Sequence, residues 1–389
     1  MKKIGLLPRL LLGIIAGIAI GATGFEFLTR LMLTFRGIFG NFLGFIIPLL
    51  IIGFVVTGIA DLGSKAGKLL GITTGIAYLS TLLAGAFAYI VSTTIFSTFI
   101  SQGVDFTSGE IVIEPFFVIT IPPMMGVMSA LTFAFILGLG ISSLEGITLK
   151  QTMNEFQEII KKVIEYVIIP LLPFHIAGIF AGLAFTGQII QVLGVFGGVF
   201  VIVILLQFIV ITAQYVTASM ILKVNPWKAI KKMLPAYFTA IGTQSSAATI
   251  PVSLRSAKTI EKMDEEVSSF VMPLCATIHL SGSTIAIISC AVAVMFMSGI
   301  TIDFGTAVFL IAMLGVTMVA APGVPGGAIM AALGLLETTL GFTEVQLGLM
   351  MAIYIAQDSF GTATNVMGDG AIAMIITKIS EKTKEKQTT

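Results

Sequence analysis

Residues 305–341 read "GTAVFLIAMLGVTMVAAPGVPGGAIMAALGLLETTLG". The run is apolar enough for a membrane helix, which needs about 20 residues to cross a bilayer. Its centre, "AAPGVPGG", forbids one. Each proline removes a backbone donor and clashes with the preceding turn, and the glycines expose the main chain. Each half is then too short to cross alone. The stretch reads as a helical hairpin that enters and leaves on the same side, with a non-helical tip at membrane depth. Such a tip is tolerated only where it is buried in protein or lines a cavity. A second stretch, 229–257, opens "AIKKMLPAYFTAIGTQSSAATIPVSLR" and is broken in the same way by "TQSSAATIP".

Composition sets the surroundings. The chain of 389 residues is 56% hydrophobic and 11% charged, with a mean hydropathy of +1.05. A soluble domain is nearer about 25% charged, so this is an integral membrane protein. The net charge of +1 says nothing of a nucleic-acid partner, and no basic cluster is dense enough to suggest one; none is expected. Cys275 and Cys290 lie in apolar surroundings and read as core residues rather than a disulfide or metal pair. Only 2 histidines are present, His175 and His279, which excludes a zinc site. The start, "MKKIGLLPRLLLGIIAGIAIGATG", resembles a signal peptide but lacks the small-residue cleavage pattern and reads as an uncleaved first span.

Simple spans are expected at 8–28, 37–59, 69–99, 116–143, 156–186, 190–222, 266–298 and 345–378. With both termini in the cytoplasm, all Lys and Arg residues except Arg30 and Arg36 fall inside. This holds only if the two broken stretches do not cross. The hairpin at 229–257 then enters from the cytoplasm and the one at 305–341 from outside. Hairpin, span, hairpin, span is the pattern of an inverted repeat with a site at the midplane. The last span carries an unusual segment, "QDSFGTATNVMGDG" at Gln357–Gly370. Asp358, Thr362, Asn365 and Asp369 there follow i, i+4, i+7, i+11, one helical stripe about 16 Å long.

Four motifs in this order resemble the dicarboxylate/amino acid:cation symporters, the glutamate transporter homologues, over nearly the whole chain. The serine-rich first tip is "QSSAATIP". The family's P-L-G-A-T-I-N-M-D-G-T is "PLCATIHLSGS". Its G-V-P-G is Gly323, Val324, Pro325 and Gly326. Its D-x-x-x-T-x-x-N-V-x-G-D is Asp358, Thr362, Asn365, Val366, Gly368 and Asp369. The resemblance implies an all-α membrane protein with eight transmembrane helices and two oppositely oriented re-entrant hairpins. It further implies an elevator-type homotrimer: 1–228 mainly scaffold, with the third and sixth spans joining the moving part, 229–378 the transport domain, and 379–389 a frayed cytoplasmic tail.

By the same resemblance, Asp358 grips a substrate ammonium, as an intramembrane carboxylate needs a cation or a proton. Thr362 and Asn365 hold the amino and carboxylate ends. Gln244, Ser245 and Ser246 of the first tip, with Val324 and Gly326 of the second, close over the substrate. A hydroxyl at 245 or 246 can equally serve the hairpin backbone. Asp369 corresponds to a sodium carboxylate, its alternative being a buried protonated acid. Carbonyl-built parts of the cation sites run near Cys275, Thr277 and His279, with Asn365 and Ser281 close by. Tyr78, Ser80 and Thr81 resemble, less closely, the hydroxyls of a deep sodium site.

The departures carry more. Acidic carriers have arginine where this chain has Gly361, and a second substrate carboxylate would be left unpaired here. A neutral amino acid is expected, of the serine, threonine or alanine type or hydrophobic or sulfur-containing. Gln244 is also uncharged. The family's N-M-D is His279, Leu280 and Ser281, and Ser281 cannot supply the lost charge. Fewer sodium ions are therefore coupled, or a proton replaces one through His279; a neutral His279 bonded to a carbonyl is the other reading. His175 reads as structural. The chain is expected to be no enzyme but a symporter in the lipid of the plasma membrane. A passive channel and a transporter-like receptor are the alternatives.

Overall fold

The computed structural model describes residues 5–63, 68–100, 113–144, 147–319, 321 and 325–388. Regular structure among them is helical. Helices α1 (Leu6–Ala22), α2 (Glu26–Gly63) and α3 (Lys68–Phe99) come first, then α4 (Val127–Leu144) and α5 (Ile147–Val163). A five-residue π turn, Ile164–Ile168, runs on into α6 (Ile169–Phe185), and α7 spans Ile189–Leu222. Next come α8 (Pro226–Thr243), α9 (Ser246–Ala257), α10 (Glu265–Ile278), α11 (Ser281–Ser298), α12 (Phe304–Val319), α13 (Gly327–Leu340) and α14 (Glu344–Thr388). Six helical runs among the described residues are long and apolar enough to cross a membrane, and α1, at 17 residues, lies at the lower limit.

Both broken stretches form helix pairs. α8 packs on α9 and α12 on α13. Asn225 caps α8, its side chain accepting from Lys228 N at 3.1 Å ahead of Pro226 at the first helical position. Asp303 caps α12, accepting from Thr306 N at 3.0 Å and from the Thr306 hydroxyl at 2.6 Å. Those two bonds hold this exposed carboxyl below its ordinary pKa.

Three expectations are corrected. The span expected at 116–143 starts only at Val127; residues 113–126 have no helix. Pro122 and Pro123 lack donors and bias their predecessors to extended backbone. The segment is tied instead to α2: Phe116 N donates to Thr34 Oγ1 at 2.9 Å, and Arg30 donates to the Glu114 carbonyl at 3.0 Å. The span expected at 156–186 continues an amphipathic helix starting at Ile147, and its π turn lies just before Pro170 and Pro173, whose missing donors disturb the ladder. The tail expected to fray continues α14 to Thr388.

Packing falls into two groups. α1 lies along α6, and α2 packs on α4, α5 and α6. α11 and α14 lie against each other at the centre, flanked by α3, α7, α8, α9 and α10. α11 is buried from Ser281 to Met295. Between helices in lipid there is little hydrophobic drive, so close approach decides association. The α1–α6 contact shows this: Gly13, Gly17 and Gly21, four residues apart, face the carbonyls of Pro173, Ala177 and Ala181. A Cβ on any of the three would overlap backbone.

Gly17→Leu is therefore expected to lose about 1–3 kcal/mol or more, as overpacking does, seen as a lowered thermal midpoint of the detergent-purified protein. Gly75→Leu is the control, because a Cβ at Gly75 meets nothing within 4 Å. Equal midpoints for the two variants would contradict this account of the contact.

Candidate functional site

The centre of the molecule is a broken helix. α10 ends at Ile278, His279 and Leu280 are non-helical, and α11 begins at Ser281. The first turn of α11 thus has orphan N–H groups deep in protein, where each needs a partner. Leu280 at the cap position provides no side-chain bond. Asn365 of α14 supplies it from across the interface: its Oδ1 accepts from Gly282 N at 2.7 Å and from Ser283 N at 3.3 Å, and its Nδ2 donates to Ser283 Oγ at 3.0 Å. Gln207 of α7 donates to the Gly282 carbonyl at 3.3 Å. Expected as a substrate ligand, Asn365 is engaged as a cap borrowed from a neighbouring helix.

Two glycines meet at this crossing. A Cβ on Gly282 would strike the Gly361 carbonyl and lie 2.5 Å from Thr364 Cβ. A Cβ on Gly361 would find its nearest neighbours, Gly282 C and O, at 3.5 Å, ordinary contact. Close approach therefore demands glycine at 282 and not at 361.

One turn N-terminal to Gly361, Asp358 is buried, and its Oδ2 accepts from Gly326 N at 2.8 Å. Gly326 opens α13 with φ 74, a left-handed conformation suited to glycine. The second tip is thus fastened to the carboxylate. Tyr354 lies one further turn back. Its hydroxyl is wholly buried and lies beside Asp358 and Ser283. Thr362 is buried on the same helix. Val324 and Gly323 lie outside the described residues.

The first tip reaches the same helix. Gln244, left-handed at φ 53, ends α8, and its Nε2 donates to Ser359 Oγ at 2.9 Å. A non-glycine residue there costs about 1–2 kcal/mol, and the bond to Ser359 offsets part of it. Ser245 caps α9, accepting from Ala248 N at 3.2 Å. Ser246, half-buried, is the first residue of α9.

At the far end of the stripe Asp369 is buried, with Oδ1 at 3.0 Å from His279 Nδ1. When Asp369 is ionised it only accepts, and Nδ1 then carries the hydrogen. Nε2 of the same ring lies 3.1 Å from Ser80 Oγ on α3. Gln214 of α7 donates to Ser80 Oγ at 3.0 Å and to Ser281 Oγ at 3.3 Å. Tyr215 and Cys275 lie in the electrostatic neighbourhood of Asp369. Of the residues expected around a cation, Asp369, His279 and Ser281 come together through Gln214. The Thr277 hydroxyl is exposed and turns back to the Leu274 carbonyl at 2.8 Å. The Cys275 carbonyl accepts from His279 N at 2.9 Å. Tyr78, Ser80 and Thr81 do not converge: Tyr78 donates to the Ala312 carbonyl and Thr81 to the Ala77 carbonyl. His175 lies elsewhere, its Nδ1 3.2 Å from the Arg36 carbonyl, in keeping with a structural residue. The cysteines are free and buried, with Gln357 donating to Cys290.

Tyr354, Gln207, Gln214, Ser283 and Ser359 escaped the sequence reading. Gln207 and Gln214 carried a signal: two of the amides of α7, seven apart in a largely apolar helix, mark one helical face.

Over residues 6–379 the chain matches the model of the Sodium:dicarboxylate symporter family. It belongs to that family, whose members are transporters rather than enzymes. It is 27% identical over 259 residues to the Excitatory amino acid transporter 1 of Ambystoma tigrinum, covering 65% of this chain and 47% of that protein. It is 30% identical over 261 residues to the Serine/threonine transporter SstT of Streptococcus agalactiae serotype III (strain NEM316), covering 66% of this chain and 63% of that protein. For the human Excitatory amino acid transporter 1 the figures are 28% over 238 residues, 59% of this chain and 43% of that protein. The alignments thus span between about two fifths and two thirds of these relatives' lengths.

The two central glycines should respond differently to a methyl group. Gly282→Ala is expected to cost about 1–3 kcal/mol by overpacking, and Gly361→Ala well under half of that. Thermal midpoints of the two purified variants check it; a larger loss at Gly361 would reverse the assignment.

Proposed function

We propose that this chain is a secondary active symporter that imports a neutral amino acid across the plasma membrane, driven by sodium, the ion in its family's description. In this reading it works as a homotrimer. Residues 1–228 serve mainly as scaffold, and 229–378 move as the transport domain. Tips one and two cover the substrate between them.

The observation that carries the reading is the bond from Gly326 N–H to Asp358. A buried carboxylate requires a donor, and here that donor belongs to the backbone of a hairpin tip. A substrate ammonium is a stronger, charged donor for the same carboxylate. Its arrival would relieve the tip of that duty, so occupancy and the position of the tip are linked. The buried hydroxyl of Tyr354, near Thr362, is available to the rest of the substrate. Gln244 held by Ser359 keeps the first tip beside the same helix.

Gly361 supports a neutral substrate. Packing does not require glycine there, so the missing side chain is free to reflect selectivity. The polar side chains closest in sequence, Ser359 and Thr362, bring no cation to pair with a second carboxylate. The names of the Streptococcus relatives, which specify serine and threonine, agree with this.

A thermal-shift screen of the amino acids, with sodium or choline as the salt cation, tests the reading. Serine, threonine or alanine is expected to raise the midpoint more than aspartate or glutamate; a ligand at about 100 times its Kd adds about 2.7 kcal/mol. Asp358→Asn should remove that shift while the protein still melts cooperatively. Gly361→Arg should move the preference toward acidic ligands. An unaltered shift in Asp358→Asn, or an unmoved preference in Gly361→Arg, counts against the assigned roles.

A further inference from the structure

The sequence resemblance assigns Asp369 to a sodium ion, and the surroundings of that carboxylate do not fit one. A hard cation needs several oxygens with lone pairs turned toward it. Most of the polar atoms gathered here present hydrogens, with the buried, partnerless Gln214 Oε1 as the exception. His279 Nδ1–H meets Asp369 Oδ1 at 3.0 Å, and the Gln214 amide directs its N–H groups to Ser80 Oγ at 3.0 Å and Ser281 Oγ at 3.3 Å. With Asp369 ionised, the chain runs in one direction: Gln214 to the Ser80 hydroxyl, that hydroxyl to His279 Nε2, and His279 Nδ1–H to Asp369. Such chains strengthen each member.

The space is filled as well. A Cβ on Gly368, one residue before Asp369, would overlap His279 Cε1 and lie 2.9 Å from Gln214 Oε1. The imidazole and the amide are therefore packed onto the backbone of α14 itself. Asn365, one turn away, has both ends of its amide committed to α11. The Thr277 hydroxyl points outward, and the Cys275 carbonyl is used within its helix. Tyr215, in the same electrostatic neighbourhood, donates to the Met367 carbonyl at 2.9 Å.

We infer that His279 is the built-in partner of Asp369, taking the place of a coupling cation, so that sodium does not bind at this carboxylate. The inference rests on the transporter reading above and deepens it. A sodium-driven cycle must use oxygens elsewhere, and one ion fewer accompanies the substrate. His279, with Ser80 and Gln214 holding its ring, becomes the residue that determines ion use at this place.

Sodium titration of the purified, substrate-free chain decides it, with choline chloride keeping ionic strength constant and the thermal midpoint as readout. Asp369→Asn should leave the sodium concentration for half-maximal stabilisation within about twofold of the parent, or both should show no sodium response. A rise of about tenfold in Asp369→Asn, or loss of a response present in the parent, would overturn the inference. Should Asp369→Asn fail to fold, His279→Asn serves instead. Freed of its partner, the carboxylate should acquire sodium-dependent stabilisation beyond that of the parent; an equal or weaker sodium response overturns the inference. No amino acid is present in these titrations, so their outcome is separate from the amino-acid screen. If no amino acid shifts the midpoint there, the transport reading fails while the sodium result stands by itself.

Discussion

The structure depends on one unmet need: the first turn of α11 starts in the middle of a membrane protein, with no water to take its N–H groups. An unpaired buried amide costs about 1–3 kcal/mol, and several are grouped here. Asn365 answers for two of them. For its short side chain to reach, α14 must come to backbone contact with α11, and Gly282 permits that approach. The depth at which α11 is buried follows. Such a break is tolerated only where protein covers it, and α3, α7 and α14 cover this one.

A single face of α14 thereby serves three partners. Asp358 holds the second tip, Asn365 the start of α11, and Asp369 the residue that ends α10. Gln244 attaches the first tip to Ser359, beside the same face. The hairpin tips and the break between α10 and α11 are therefore not independent parts. They are joined through one rigid rod, and a displacement of any of them is felt along it.

How much of this is legible without coordinates depends on the range of the interactions. The tips at 243–246 and 320–326 announce themselves, since proline, glycine and small polar residues interrupt apolar runs locally. The stripe on α14 follows from helical period alone. The late start of α4 was also local, written in Pro122 and Pro123, and was lost to the apolar residues around them. The cap on α11 is a different matter. Asn365 and Gly282 are 83 residues apart, and nothing near either of them indicates the pairing. Gln214 and Ser80 come from two further helices, and the chemistry of His279 changes entirely once they are known to hold it. The roles of Gly282 and Gly361 could not be separated by residue type. Only the direction in which each would extend a Cβ distinguishes a packing requirement from a free position.

The two buried aspartates, alike in sequence, are held in ways that suit opposite tasks. Asp358 relies on a backbone N–H from a hairpin tip, a donor that a stronger, charged donor can replace. Asp369 relies on a side chain whose ring is fixed on its other nitrogen by Ser80, itself bonded to Gln214. Removing that donor would leave a carboxylate without its partner inside protein, at a cost of about 3–5 kcal/mol. The stripe therefore divides into an exchangeable end and a permanent end. In the proposed symporter, ligand exchange belongs where the donor is the backbone of a hairpin tip, and a donor fixed by neighbouring helices favours keeping its interaction.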